Sequence, residues 1–150
     1  MLIRSIMVDS TVFDEVADDG VNPDYYMPTF DINTYLAAYI GRKCIGVFIL
    51  EKVNSATIEL HGAMLPEFRL RYSIAAMTAF IDFLPFIPDK IQKLQAFIPV
   101  TRPNVRDYLI LFGFKHEGFS VNSYRKNGKL VDRWLFGISR TDLARFNDNG

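Results

Sequence analysis

The sequence predicts an α+β fold, a mixed central sheet with helices on both faces, formed as one domain over residues 1–150. Three observations carry this expectation. Three strand-like runs follow one another between residues 34 and 64 with room only for short turns, so they form an antiparallel meander. A strand, a helix and a second strand then occupy residues 55–100, the pattern of a parallel βαβ unit. Two long runs finally meet at Asn127-Gly128, the strongest short hairpin signal.

Taken in order, residues 2–8 alternate weakly through Leu2, Ile3, Ile6 and Val8 and read as a first strand. Asp9 or Ser10 caps a short helix over residues 11–17, ended by Asp18-Asp19-Gly20. Residues 21–31 are irregular, with Pro23, Pro28 and the aromatic group Tyr25, Tyr26 and Phe30. Runs 34–40 and 43–52 flank the turn Gly41-Arg42, and run 55–64 follows the turn-prone Asn54-Ser55. Pro66 stops the sheet, and residues 67–84 take helical spacing, with Leu70, Ile74, Met77, Ile81 and Leu84 on one face. Pro85 and Pro88 end that helix, and residues 91–100 form a further strand. Val105, Tyr108, Leu109 and Phe112 mark a short amphipathic helix, with Pro103 near its start and Gly113 past its end. Residues 114–125 and 130–138 make the hairpin. Ser139 or Thr141 caps a last turn over 142–146, and residues 147–150 form a loose tail.

Composition excludes several classes of function. With 49% hydrophobic residues and 13 Phe, the chain buries a real core and is no disordered segment. Seventeen Lys plus Arg balance seventeen Asp plus Glu, so the chain lacks the electrostatic footprint of a nucleic-acid binder. Cys44, the sole cysteine, cannot form an internal disulfide and reads as a buried, inert thiol. Residues 1–9 are too short and polar for a signal peptide. Residues 74–87, broken by Asp82 and Pro85, fall short of the ~20 needed to span a membrane. No nucleic-acid or membrane partner is expected, and the cytoplasm is the default compartment. No histidine, cysteine or carboxylate spacing suggests a metal site.

The segment best suited to chemistry is the passage from strand 55–64 through Leu65-Pro66-Glu67 into a helix starting near residues 69–73. A helix start carries open N–H groups and partial positive charge, so it suits phosphate, and Arg69 and Arg71 would add guanidinium groups. The bland alternative is a solvated helix surface. Downstream stand Gly113-Phe114, Glu117-Gly118, Tyr124-Arg125, Asn127-Gly128, Asp132, Trp134 and Phe136. In this order and spacing the sequence resembles the Gcn5-related N-acetyltransferase superfamily, closest in style to the branch that acetylates ribosomal-protein N-termini. The resemblance covers nearly the whole chain.

The resemblance implies a GNAT-like acyl-CoA N-acyltransferase fold and acetyl-CoA as co-substrate. The family's phosphate loop, Arg/Gln-x-x-Gly-x-Gly/Ala, falls on Arg69-Leu70-Arg71-Tyr72-Ser73-Ile74, where Tyr72 and Ile74 replace small residues unless Ala75 serves with a one-residue slip. The backbone N–H of Tyr72 and the hydroxyl of Ser73 stay as expected phosphate donors. Met64 ends the strand whose backbone N–H groups, from His61 to Met64, would contact the developing oxyanion. Arg102, where the family has Asn, and Asn104 are expected at the second cofactor-facing helix, or else cap it.

Acetyl transfer to an amine needs a base and a proton for the leaving thiolate. Glu59 and His61 alternate on one strand, share a face, and are the candidate base pair; a solvated polar edge is the alternative. Tyr108 lies one residue from the family's acid position, and core packing is its competing role.

Two functions follow from the resemblance. One is an acetyl-CoA-dependent N-acetyltransferase acting on a protein or small-molecule amine. The other is a catalytically inactive binding or assembly protein of the same fold, similar in style to divergent bacteriophage-encoded members. A homodimer or an assembly partner stays open in either case.

Overall fold

The computed structural model describes residues 2–149. Six strands form one sheet in the order β1-β2-β3-β4-β6-β5: β1 (Asn33–Ile40), β2 (Lys43–Lys52), β3 (Thr57–Met64), β4 (Lys93–Pro99), β5 (Lys115–Lys126) and β6 (Lys129–Ser139). All neighbours are antiparallel except β3 and β4. That parallel pair is joined through α3 (Pro66–Phe83) and a 3₁₀ turn at Leu84–Phe86, the expected βαβ crossover.

The first element differs from expectation. Residues Leu2–Met7 form a helix, α1, not a strand. Ile3 and Ile6 are both buried, and three residues apart they share a helix face, whereas a strand would send them to opposite sides. The next helix, α2 (Ser10–Val16), starts at Asp9, whose carboxylate accepts the backbone N–H of Thr11.

Two apolar cores cover the two faces of the sheet. On one, Leu50, Ile58, Leu94, Ala96, Phe136 and Ile138 pack against α3, against α4 (Pro103–Leu111) and against α5 (Arg140–Asp148). On the other, Val47, Ile49 and Ala63 pack against Ile3, Ile6 and Val12 of α1 and α2, beside the buried Cys44. Burial of this apolar surface, at about 25 cal/mol per Å², is what holds the layers together.

Chain reversals follow the sequence closely. Asn127 and Gly128 both take positive φ, 52° and 75°, matching the mirror-image turn that suits a twisted hairpin. Gly113, at φ 92°, ends α4 in the left-handed region. Ser139 caps α5, accepting the N–H of Asp142. The expected loose tail is instead the last turn of α5 through Asp148, with Gly150 lying outside the described residues.

Candidate functional site

The site begins where the sheet comes apart. Parallel pairing between β3 and β4 runs only through Thr57–Lys93, Ile58–Leu94 and Glu59–Gln95. Beyond it β3 continues to Met64 against β2, and β4 continues to Pro99 against β6, so the two strands diverge. Antiparallel alternation fixes which groups face the gap. Thr57 accepts Val53 N–H from the β2 side and Leu65 donates to Ile45, so the odd residues of β3 bond toward β2. Gly62 therefore turns its N–H and C=O toward the gap. By the same logic the N–H of Val100 donates to Asp132 of β6 and the carbonyl of Gln92 accepts from Arg140 just past it, leaving the backbone of Phe97 facing Gly62.

A cleft opens on each side of this gap. On the α3–α4 side a space of about 750 Å³ is lined mainly by apolar groups, among them Leu60, Leu70, Ile74, Ile98, Val105 and Leu111. The apolar helical face read from the spacing divides here: Met77, Ile81 and Leu84 are buried, but Leu70 is 101% exposed and Ile74 52%. Its first two turns line the cleft across from Leu60, Gly62 and Ile98 of the sheet. On the α1–α2 side a space of about 380 Å³ holds Glu59, His61, Tyr26, Phe97, Tyr124 and Arg133. Burial pushes the Tyr124 phenol upward, and its hydroxyl donates to the carbonyl of Val16 at 3.1 Å.

Glu59 and His61 share a face, with His61 Nε2 3.7 Å from Glu59 Oε1. The same nitrogen lies 3.3 Å from Oε2 of Glu51, the residue paired with Glu59 across β2 and β3. Glu51 was not legible as a site residue because only the strand register brings it there. Tyr108 lies on the opposite side, in the apolar cleft, where its hydroxyl donates to the carbonyl of Ser73 at 2.6 Å. Burial raises that phenol well above its ordinary 10.

The expected cofactor-phosphate residues are placed differently from the sequence reading. α3 starts at Pro66, so Arg69 through Ala75 are helical, and the N–H groups of Tyr72, Ser73, Ile74 and Ala75 close onto carbonyls four residues back. The N–H of Tyr72 is therefore used within the helix. Of the open amides at a helix start, Leu65 donates to Ile45, Pro66 has none and Phe68 closes onto Leu65, leaving that of Glu67, an acidic residue. Arg69 and Arg71, about 200° apart around the axis, do not act together. Arg69 pairs with Glu15 of α2, and its Nε donates to the carbonyl of Met64 at 2.9 Å. Arg71 is exposed, its guanidinium 5.3 Å from the Tyr72 ring.

Arg102 is the N-cap residue of α4, but no side chain caps that helix. Its guanidinium donates to the Glu15 carbonyl at 3.2 Å and pairs with the Glu15 carboxylate at 3.4 Å. Burial lowers its pKa, opposed by the Glu15 charge. Asn104, exposed, edges the apolar cleft. Glu15 thus draws in Arg69, expected at the phosphate, and Arg102, expected at the second cofactor-facing helix, while Arg71 stands apart. Glu15 sits 87 residues from Arg102, and no local pattern could have revealed it.

The site is a gap with backbone groups on both edges and an apolar wall, features that suit an extended acyl-pantetheine arm. It does not accommodate the pyrophosphate of CoA at α3, where one amide beside Glu67 replaces a glycine-lined cradle.

Solved structures share this architecture. The spermidine/spermine N-acetyltransferase SpeG from Vibrio cholerae, solved with manganese ions, is 17% identical, covering 80% of this chain and 71% of that one at a TM-score of 0.67. A structure of mutant forms of the same protein is 18% identical, covering 80% and 70%, at 0.68. A chimera of SpeG from Vibrio cholerae and hSSAT is 18% identical, covering 75% and 71%, at 0.67. At these identities the likeness is one of fold, and the α+β acyltransferase fold read from the sequence is the fold observed. No curated protein sequence matches the chain. A family model described as protein of unknown function (DUF2824) matches residues 3–148.

Proposed function

The chain belongs to the DUF2824 family, and from that premise we propose that it transfers an acetyl group from a pantetheine thioester to an amine. One observation carries the reading. The gap between β3 and β4 joins an apolar cleft on one side to the Glu59–His61 pair on the other. A thioester entering from the apolar side would meet an amine entering from the polar side at the backbone of Gly62 and Phe97.

In this proposal the amine nitrogen attacks the thioester carbonyl carbon. The oxyanion is met by backbone N–H groups on the β3 edge, where donors fixed in place act without reorganising. Glu59 and His61 take the proton released from the amine, directly or through a water. As the C–S bond breaks, the thiolate, with an ordinary pKa near ~8.5, needs a proton but is a good leaving group without one. Tyr108 then serves the cleft as a wall tied to Ser73 rather than as the acid. The acceptor is a small-molecule or protein amine. The spermidine N-acetyltransferases of like fold favour the former, and the resemblance to the ribosomal-protein branch favours the latter.

The test is direct. The protein is incubated with acetyl-CoA and a panel containing spermidine and peptides with free N-termini, and the amines are weighed by mass spectrometry. The expected result is one acetylated amine for each thiol released. Failure to acetylate any member at millimolar concentrations would overturn the reading. The alternative, a binding or assembly protein without turnover, is favoured by one observation, the helical and acidic start of α3. It predicts thioester binding with no product.

A further inference from the structure

The start of α3 and the cleft beneath it make opposite demands of a CoA thioester. We infer that this site recognises the acylated pantetheine arm alone, and that the nucleotide of CoA contributes nothing to binding. The inference rests on the acyl-transfer reading above and names its donor class.

A CoA-binding site has two tasks, to hold a neutral, extended arm and to hold several phosphate charges. The second is not met at α3. Leu65, Pro66 and Phe68 offer no open amide, and the one at Glu67 comes with a carboxylate that repels phosphate. From Arg69 onward the helix consumes its own amides, so releasing two or three would mean unwinding the first turns. The cations are placed no better. Arg69 is held away by Glu15, which it shares with Arg102, and by its bond to Met64, and Arg71 lies over Tyr72 on another face of the helix.

The first task is met well. An arm carrying two amides can bond as an extra strand to the facing edges of Gly62 and Phe97. Its methylenes meet Leu70, Ile74 and Leu111, which stand exposed around the cleft. The volume, about 750 Å³, lies in the range of small-molecule sites. Such an arm arrives either on a small thioester or covalently attached to a carrier protein.

Titration calorimetry with pantetheine, 4′-phosphopantetheine and CoA tests the inference on the wild-type chain. Dissociation constants within about threefold of one another are expected, a spread well below the tenfold step that 1.4 kcal/mol gives. CoA binding thirtyfold or more tighter than pantetheine would overturn it while leaving acyl transfer standing. No binding by any of the three at millimolar concentration would instead bring down the acyl-transfer reading, and this inference with it. Arg71→Ala should leave CoA binding unchanged; a tenfold loss would show that the nucleotide is gripped after all. Transfer from acetyl-pantetheine or from an acetyl-loaded carrier protein supports the inference, and the faster of the two identifies the source. Transfer from acetyl-CoA alone contradicts it.

Discussion

The hydroxyl of Tyr108 donates to the backbone carbonyl of Ser73 at 2.6 Å, tying α4 to α3 across the apolar cleft. Both residues were candidates for chemistry in the sequence, yet here they hold the cleft walls together. Tyr108→Phe keeps the ring and its edge-to-face contact with Phe112 while removing the bond. A loss of about 1 kcal/mol is expected, or ~2–4 °C in thermal midpoint. Acetyl transfer should persist; a hundredfold fall in turnover with an unchanged midpoint would restore Tyr108 as the acid.

Glu59 and His61 are expected to matter for rate and little for folding. Both edge the smaller cleft, and His61 is a half-exposed side chain whose partners are carboxylates. Glu59→Gln and His61→Asn should each lower turnover by about 10²-fold, the usual worth of a positioned base. Circular dichroism and the unfolding midpoint should stay near wild type. Full activity in both variants would move the base elsewhere.

Asp18 gives a pH-dependent contribution to stability. Its carboxylate accepts N–H bonds from Gly20 at 2.9 Å and Arg125 at 2.9 Å, and these hold its pKa below the ordinary 3.8. A depressed folded-state value adds stability above the unfolded value, and that stability is lost as pH falls through the folded one. Asp18→Ala should therefore melt below wild type at neutral pH by a margin that is constant down to about pH 5. The margin should narrow as pH falls below 3.8. A margin independent of pH throughout would show that the charge is not what matters.

Arg140 closes the far end of the α3 crossover. Its guanidinium donates to the carbonyls of Leu84, Ile87, Pro88 and Ile91, at 2.6, 3.0, 2.9 and 3.2 Å. Arg140→Ala leaves those carbonyls without that donor and should cost about 2–3 kcal/mol. Arg140→Lys should recover only part, because one ammonium cannot reproduce a planar fork over four acceptors. Urea unfolding would show this as a lower midpoint at unchanged slope.

Most of the fold was legible because its signals are local. The meander, the Asn127-Gly128 hairpin, the Gly113 helix end and the Ser139 cap each depend on a few adjacent residues and a backbone preference. The first helix was missed because six residues are too few for periodicity to separate helix from strand. The exposure of Leu70 was not legible because spacing tells which residues share a helix face, not which of them the rest of the fold covers.

The sequence by itself determined the layers, the strand pairing within each hairpin and the shared face of Glu59 and His61, all matters of neighbours along the chain. Tertiary structure alone decided the site. The divergence of β3 from β4 after Glu59–Gln95 depends on what each strand pairs with on its other side. The capture of Arg69 and Arg102 by Glu15 depends on α2 packing beside residues far along the chain. A long-range ion pair leaves no periodic trace, so Arg69 and Arg102 could be seen in the sequence as candidate cofactor contacts, while the carboxylate that occupies them could not.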